Sequence, residues 1–162
     1  MSDLPYRRNV GAVLFNPSGL VLIAHRIGMP MHEGPDGGWQ LPQGGIDADE
    51  DPRAAVLREL AEEIGTDRAE IIGEHPDWLH YDLPPHLLGV AWGGRFRGQS
   101  QKWFALRFLG QDSDVRLDAD SHPEFDAWRW VKLAELPELA VGFKRPVYQS
   151  LAEAFAHIGA VR

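Results

Sequence analysis

Apolar runs separated by turn residues predict the elements at the start of the chain. Residues 9–15 and 20–26 are rich in Val, Leu and Ile, and they flank an Asn-Pro-Ser-Gly segment at residues 16–19. Two short apolar runs joined by turn-forming residues are typical of a β-hairpin. A segment rich in Gly and Pro follows at residues 27–38, where we expect a loop.

One helix is marked at both ends. Asp51 is a favourable N-cap, and Pro52 suits a first helical turn. Gly65 suits the left-handed backbone that often follows the last turn of a helix. The sequence therefore predicts a helix over Pro52–Ile64.

The remaining apolar segments predict strands and a closing helix. Strands are expected at residues 70–75, 78–82, 101–108 and 124–131. Pro146 opens the closing helix, and its apolar residues recur at helical spacing at Val147, Leu151, Phe155 and Ile158. Helices separated by runs of hairpin-like strands favour an α/β sandwich over a doubly wound parallel sheet.

The composition is that of one globular domain. The chain has 162 residues, 44% of them hydrophobic, and no repeat or linker divides it, so we expect a single domain over residues 1–162. The absence of Cys excludes disulfides, thiolate nucleophiles and Cys-bound metal sites. The longest apolar run, near residues 20–24, is too short to cross a membrane, and the first residues lack the apolar region of a signal peptide. The expected location is the cytoplasm.

Negative charge is concentrated in one segment. The formal net charge of -8 argues against a DNA-binding patch and against a protein that grips the body of a nucleic acid, so any RNA contact should be local. Residues 47–74 hold ten acidic residues and only three Arg. Within the predicted helix, Glu59, Glu62 and Glu63 stand at positions i, i+3 and i+4 and therefore share one face.

These three glutamates admit two interpretations. A solvated helix face is the ordinary one, but such a face normally interleaves Lys, and the like-charged pair Glu59 and Glu63 costs on the order of a few tenths of a kcal/mol. A divalent cation removes this repulsion, and clustered carboxylates suit Mg²⁺ or Mn²⁺ better than zinc. His75 and His80 are interpreted as ordinary polar residues of a strand region.

The spacing around these glutamates is recognisable. Gly44 is followed by five residues and Glu50, and then by seven residues and the segment Arg-Glu-Leu-Ala-Glu-Glu-Ile-Gly-Thr at residues 58–66. This pattern resembles the Nudix box of hydrolases that cleave a nucleoside diphosphate linked to another group. Thr66 is the one departure, since the pattern prefers a bulky aliphatic residue there.

The resemblance extends over essentially the whole chain. Within the family, the chain resembles the bacterial RNA pyrophosphohydrolase branch, which is closely related to the plant-type dinucleoside polyphosphate hydrolases. This resemblance is carried by residues 6–11, 39–45, 101–104, 123–130 and 143–145. Arg8 departs from this branch by replacing a usual Pro, and the 27–38 loop is longer than in many members. The resemblance implies a Nudix-type α/β/α sandwich with a mixed β-sheet.

The resemblance also implies a metal site and a catalytic group. Glu59, Glu62, Glu63 and Glu124 are expected to bind Mg²⁺, with Mn²⁺ as an alternative. Glu59 is the favoured group for activating water, and Glu124 is an alternative base. Arg58 is expected to orient a neighbouring glutamate, although a surface ion pair of under about 1 kcal/mol is the other interpretation.

Substrate contacts are expected from cations and aromatic rings. The candidate phosphate ligands are Arg7, Arg26, Lys102 and Lys144. Lys102 alternates with apolar residues along its strand, so it is expected to point inward and to need an anion. Arg7 and Arg26 fit solvated strand-end charges equally well. Phe143 is the first candidate for stacking on a base, and Tyr81 is the second.

The loop before the helix has expected structural roles. Gly44 and Gly45 let the backbone pass close to the metals, and a carbonyl near Gln43 is a further candidate ligand. Glu50 is expected to bond free amide groups of the helix or to hold the loop.

Three functions fit the sequence. The first is removal of pyrophosphate from the 5′-triphosphate end of RNA, and the second is hydrolysis of diadenosine polyphosphates. The third is a nucleotide-binding regulatory domain without turnover, for which mutually repelling carboxylates have no use. An acidic Ca²⁺-binding module lacks the alternating ligand loop of an EF-hand.

Overall fold

The hairpin at the start of the chain is present as predicted. In the computed structural model, which describes residues 4–29, 37–140 and 142–160, β1 (Tyr6–Phe15) pairs with β2 (Val21–Arg26) in antiparallel orientation. The Asn16 side chain accepts hydrogen bonds from the backbone N–H groups of Ser18 and Leu20, which fixes the turn. Most of the predicted 27–38 loop lies outside the described residues.

The other strands form one mixed sheet with this hairpin. They are β3 (Trp39–Gln40), β4 (Gln43–Gly45), β5 (Ala69–Glu74), β6 (Leu79–Asp82), β7 (Gly98–Phe108) and β8 (Phe125–Val131). The order is β3-β2-β1-β7-β5, with β4 beside β1, β6 beside β7 and β8 beside β2. β1 runs parallel to β7, and the other strand pairs in the described residues are antiparallel. The two short strands β3 and β4 were not predicted.

Helices cover both faces of the sheet, because strand residues alternate between two apolar clusters. On one face, Val10, Ala12 and Leu14 pack against α1 (Pro52–Ile64). On the other face, Val13 and Phe15 belong to a cluster with α2 (Leu136–Leu139) and α3 (Arg145–Ala154). The predicted α/β/α sandwich with a mixed sheet is confirmed.

The ends of α1 are those predicted from its caps. The Asp51 side chain accepts a hydrogen bond from the Ala54 N–H, and Gly65 takes a left-handed conformation with φ 75°. A Cβ at Gly65 would collide with the backbone of Arg116, so the position requires glycine both for its conformation and for its space.

The closing helix is shorter than predicted. α3 ends at Ala154, and the Phe155 N–H bonds to the carbonyls of Leu151 and Glu153. The buried Phe155 ring packs edge-on against His75, and Ile158 belongs to a separate short helix, α4 (Ala156–Ala160). The expectation of one continuous helix through Ile158 was therefore wrong. Across the described ranges, no helix is long and apolar enough to span a membrane.

Candidate active site

The three glutamates of α1 differ in exposure although they share one face. Glu63 is buried, and its Oε1 accepts a hydrogen bond of 3.0 Å from the backbone N–H of Gln43 in β4. The Glu59 side chain is 12% exposed, whereas that of Glu62 is 44% exposed. The packing of Leu60 and Ile64 against the sheet sets this rotation of the helix and turns Glu63 toward the sheet edge.

Arg58 is the centre of a hydrogen-bond network beside these glutamates. Its Nε and Nη2 donate to the two oxygens of Glu50 at 2.7 and 2.9 Å, and Nη2 also donates to the Gly45 carbonyl. Its Nη1 donates to Glu59 at 3.0 Å and to Glu62 at 3.1 Å. Arg58 therefore contacts the glutamates that it was expected to orient, and its effect on catalysis stays a prediction.

Glu50 lies against the loop that precedes α1. Its Oε1 accepts the backbone N–H of Asp47, while the capping of the helix N-terminus falls to Asp51. The hydrogen bonds from Arg58 hold the pKa of Glu50 at about 2, well below its usual value. Glu50 thus contacts the loop and Arg58 as a permanent carboxylate at neutral pH.

The two glycines of β4 leave space for charged groups. A Cβ added to Gly44 would overlap the carboxylate of Glu59. A Cβ added to Gly45 would lie 2.6 Å from Nη2 of Arg7. The backbone of β4 therefore passes between a carboxylate of α1 and a guanidinium of β1, and a side chain at either position would displace the charged group beside it.

Glu124 joins the carboxylates from the far end of the chain. It is exposed and lies immediately before β8, where its carbonyl accepts the N–H of Ile27. Burial raises the pKa of Glu59 to about 7. Burial, followed by the negative charges of Glu124 and Glu59, raises the pKa of Glu63 well above its usual value. The carboxylates therefore repel one another in the absence of a cation.

The donor set suits a hard divalent cation. In the part of the chain that the structure describes, no three acidic or His side chains already converge into a complete metal site. Glu63 is nevertheless buried beside Glu59 and Glu124, and all the available donors are oxygens, which Mg²⁺ and Mn²⁺ prefer. A cation among Glu59, Glu62, Glu63 and Glu124 would offset the repulsion that, in addition to burial, raises the pKa of Glu59 and Glu63.

The raised pKa values predict a pH-dependent stability of the metal-free protein. The pKa of Glu59 is about 7 in the folded state against an ordinary 4.5, so the folded state binds this proton more tightly than the unfolded state. The stabilisation is complete below pH 4.5 and is lost as the pH rises through about 7, a change of up to about 3 kcal/mol. We expect urea unfolding in the presence of a chelator to show this loss.

The double variant Glu59→Gln/Glu63→Gln is the control for this experiment. It should be more stable than the wild type at pH 8 without metal, because it lacks the buried charges. Saturating Mn²⁺ should reverse the order, because only the wild type keeps all four of the expected metal ligands. Equal pH profiles for the two proteins without metal would contradict the assignment of raised pKa values to these groups.

A cleft lies next to the carboxylates. A cavity of about 220 Å³ is lined by Arg7, Arg26, Gln43, Gly44, Tyr81, Trp92, Gln99, Glu124 and Lys144. A larger cavity of about 490 Å³ shares Arg26, Tyr81, Trp92 and Lys144 with the first and is also lined by Phe143 and by apolar side chains such as Leu83 and Leu87. The structure thus brings three of the four predicted phosphate ligands together with Glu124.

The strand ends hold the cleft residues in place. His25 Nδ1 lies 2.6 Å from Asp126 Oδ1, which ties β2 to β8 beside Arg26 and Glu124. Lys144 lies 5.6 Å from the centre of the Tyr81 ring. Burial, together with the charge of Arg26, lowers the pKa of Lys144 to about 8. An anion that enters the cleft would therefore relieve the repulsion between Arg26 and Lys144 and stabilise the charged form of Lys144.

The two aromatic candidates differ in accessibility. Tyr81 is only 6% exposed, and its hydroxyl accepts a hydrogen bond from Gln99 Nε2. Its ring contacts the Phe143 ring at 5.5 Å and the ammonium of Lys144. Phe143 is only half-buried. Tyr81 is therefore a wall of the cleft, which leaves Phe143 as the candidate platform for a base.

Lys102 lies elsewhere. In the parallel register it is opposite Val10, whose side chain packs under α1, so Lys102 points to that face and not to the face of Arg7 and Gln99. Its Nζ is 3.0 Å from Glu74 Oε2 and donates to the carbonyl of His75. The carboxylate of Glu74 is therefore the anion that pairs with Lys102. Because Lys102 does not line the cleft, the structure does not support its expected contact with a phosphate.

Buried amide side chains lie beside the cleft, and Gln99 and Gln43 line it; none of these amides was predicted as a substrate contact. Asn9, Gln99 and Gln101 are each no more than 3% exposed, and Gln99 Oε1 accepts a hydrogen bond of 2.8 Å from Arg7 Nη1. Asn9 Nδ2 donates to the side chain of Gln43. The alternation of Gln99 and Gln101 along β7 was the available signal, because a strand that places two amides on one face points to a polar floor.

The remaining polar candidates have ordinary surroundings. His75 is buried and contacts the hydroxyl of Ser150, and His80 packs edge-on against Tyr6.

Of the six Trp, only Trp103 is fully buried among the described residues, and Trp92 lines the cleft. Trp92 contacts the guanidinium of Arg7 at 5.6 Å and was not predicted as a site residue.

Comparison with known proteins gives consistent matches. The model of the NUDIX domain family matches residues 5–151. A protein named RNA pyrophosphohydrolase from Gluconacetobacter diazotrophicus is 67% identical over 157 residues, which cover 96% of this chain and 94% of the relative. One of the same name from Acidiphilium cryptum is 60% identical and covers 94% of this chain and 92% of the relative.

Solved structures show the same fold at lower identity. The dihydroneopterin triphosphate pyrophosphohydrolase of E. coli matches with a TM-score of 0.66 at 18% identity, over 93% of this chain and 99% of the other. A binary complex of the C. elegans Ap4A hydrolase matches with a TM-score of 0.60 at 22% identity, over 93% of this chain and 98% of the other. At these identities the likeness concerns the fold alone.

Proposed function

The chain belongs to the NUDIX domain family, and on this premise we propose that it is an RNA pyrophosphohydrolase that removes pyrophosphate from the 5′-triphosphate end of RNA and leaves a 5′-monophosphate. The observation that carries the proposal is the cleft in which Arg7, Arg26 and Lys144 lie between Glu124 and an aromatic wall. The relatives that cover nearly the whole chain are named for this reaction, which favours an RNA end as the substrate.

Nudix hydrolases generally need divalent cations, and for this chain we propose Mg²⁺, with Mn²⁺ as a substitute. Glu59, Glu62, Glu63 and Glu124 would hold it. When bound, the cation neutralises charge on the phosphate oxygens and lowers the pKa of nearby water.

Glu59 is the proposed proton acceptor for the attacking water. Its side chain is mostly buried, one carboxylate oxygen accepts a hydrogen bond from Arg58, and Gly44 leaves it space. Burial raises the pKa of Glu59 to about 7 in the metal-free site, and a bound cation would lower it, so Glu59 would be an ionised proton acceptor at neutral pH. Arg58 is thus a positioning residue that keeps the acceptor oxygen in place.

Substrate binding is assigned to the cations and to one ring. Arg26 and Lys144 face the part of the cleft nearest Phe143, so they are placed for the phosphates closest to the nucleoside. Stacking on an aromatic face tolerates any base, which suits RNA ends of different sequence. With a net charge of -8 and these cations confined to a cleft, recognition is proposed to be restricted to the terminus.

The proposed unit of function is one domain that acts in the cytoplasm. The family match over residues 5–151 leaves few residues of this sequence outside it, and this supports a single catalytic domain over residues 1–162.

Direct comparison of substrates tests the proposed function. With Mg²⁺, the protein should release pyrophosphate from triphosphorylated RNA with a kcat/KM at least about 100-fold above that for diadenosine tetraphosphate, a difference of about 2.7 kcal/mol. The reverse preference would assign it to dinucleoside polyphosphate hydrolysis. Nucleotide binding without turnover of either substrate would instead indicate a regulatory domain.

A further inference from the structure

Arg8 is a departure from the family pattern that the cleft does not explain. It is exposed on β1, next to Arg7, and its guanidinium lies 4.8 Å from the centre of the Trp78 ring. It does not line the cleft described above. Together with Arg95 it lines a second cavity of about 420 Å³.

This second cavity adjoins the catalytic carboxylates from the other side. Its walls include Asp47, Glu59, Arg58 and Gly45 in addition to Arg7, Arg8 and Arg95, so four arginines share the cavity with two carboxylates. Arg7 lines both cavities, and Gly44 of the cleft is the chain neighbour of Gly45. A chain of phosphates that crosses the β4 glycines can therefore reach both cavities.

The second cavity has an excess of positive charge. Both lining carboxylates, Asp47 and Glu59, pair with Arg58, as do Glu50 and Glu62 outside the cavity. Among the described residues, no carboxylate lies within 4.0 Å of the guanidinium nitrogens of Arg7, Arg8 or Arg95. Like charges that share a cavity attract an anion of more than one charge.

Aromatic rings support the three arginines from behind. Trp92 lies 5.6 Å from Arg7, Trp78 lies 4.8 Å from Arg8, and Phe96 lies 5.9 Å from Arg95. Such contacts use the flat faces of the guanidinium groups. The N–H edges of Arg8 and Arg95 then remain for oxygens, whereas Nη1 of Arg7 already donates to Gln99. Arg binds phosphate oxygens in bidentate geometry through such edges.

We propose that Arg8 and Arg95 form a second phosphate subsite, which binds the phosphates beyond the cleaved bond, that is, the leaving pyrophosphate. The inference rests on the proposed function. Phe143 marks the nucleoside end of the cleft, and the carboxylates lie between that end and the second cavity. The phosphates on the far side of the reacting bond consequently extend toward Arg8 and Arg95.

Titration with inorganic pyrophosphate tests the subsite without turnover. In calorimetry with Mg²⁺ present, the double variant Arg8→Gln/Arg95→Gln should bind pyrophosphate roughly 10- to 100-fold more weakly than the wild type, because it loses two charge-assisted contacts. The matched control is Arg53→Gln/Arg107→Gln, which removes two charges from exposed arginines paired with Glu74 and Glu70 and should change the affinity less than about twofold. An unchanged affinity in the first variant, or an equal loss in both, overturns the subsite.

A second measurement identifies which phosphate is bound. If the subsite holds the leaving phosphates, the double variant raises the KM equally for a triphosphorylated dinucleotide and for a triphosphorylated 12-mer. If it contacts the RNA backbone, the KM rises only for the 12-mer and pyrophosphate binding does not change, which overturns the proposal. Failure of the wild type to hydrolyse triphosphorylated RNA would reject the proposed function, whereas loss of pyrophosphate binding in the double variant would still show an anion subsite at Arg8 and Arg95.

Discussion

Replacement of Glu59 by Gln is expected to lower kcat by about 10³-fold or more while the protein stays folded. Gln keeps the size of the side chain but neither accepts a proton nor offers two anionic oxygens to a cation. General base catalysis alone contributes about 10²- to 10⁴-fold, and a lost metal ligand adds to this. The initial rate of pyrophosphate release from triphosphorylated RNA at saturating substrate measures the effect.

Two further variants complete this experiment. Glu62→Gln should also lose orders of magnitude in kcat, since the proposed metal site includes Glu62. Glu70→Gln is the matched control, because this exposed glutamate of β5 is paired only loosely with Arg107, at 3.8 Å. Its kcat should stay within about twofold of the wild type. Retained turnover in both Glu59→Gln and Glu62→Gln would reject the assignment of the active site.

Gly44→Ala is expected to reduce kcat by about 10²-fold with little change in the melting temperature. The added methyl group would occupy the position of the Glu59 carboxylate, which is the end of a flexible side chain and can move aside. The fold therefore tolerates the change, but the proton acceptor is displaced. A displacement on the order of 1 Å at a reacting group costs about 10²-fold in rate.

Gly142→Ala is the control for this substitution. A Cβ at Gly142 would meet no atom of the described residues within 4 Å, so both kcat and the melting temperature should match the wild type. A Gly44→Ala protein that unfolds at a much lower temperature would show that the backbone, and not the carboxylate, has to adjust. Full activity in the Gly44→Ala variant would contradict the assignment of Glu59 as the proton acceptor.

The helix that carries the glutamates could be predicted because its signals are local. Asp51 and Gly65 act within a few residues of the helix ends, and the spacing of Glu59, Glu62 and Glu63 alone places them on one face. The contact between Glu59 and Gly44 could not be derived from such signals. It depends on β4, a strand of only three residues whose pairing with β1 is a tertiary event.

Lys102 shows the same limit for substrate contacts. Its inward direction followed from the alternation along the strand, and the structure confirms that its side chain is mostly buried, at 11% exposed. The identity of its anion did not follow, because Glu74 comes from a neighbouring strand and is as good a partner as a phosphate. Arg7 and Gln99 are likewise brought together by a strand pairing between residues 92 positions apart.

The parallel pairing of β1 with β7 also affects how this chain acquires activity. Tyr6 pairs with Gly98 and Phe15 with Arg107, so the first strand finds its central neighbour only after about two thirds of the protein has been synthesised. Contacts between such distant parts of a sequence form slowly, because a long loop must first be closed. A ribosome-bound nascent chain that stops before residue 98 therefore lacks the strand that pairs with β1, and it should release no pyrophosphate from triphosphorylated RNA.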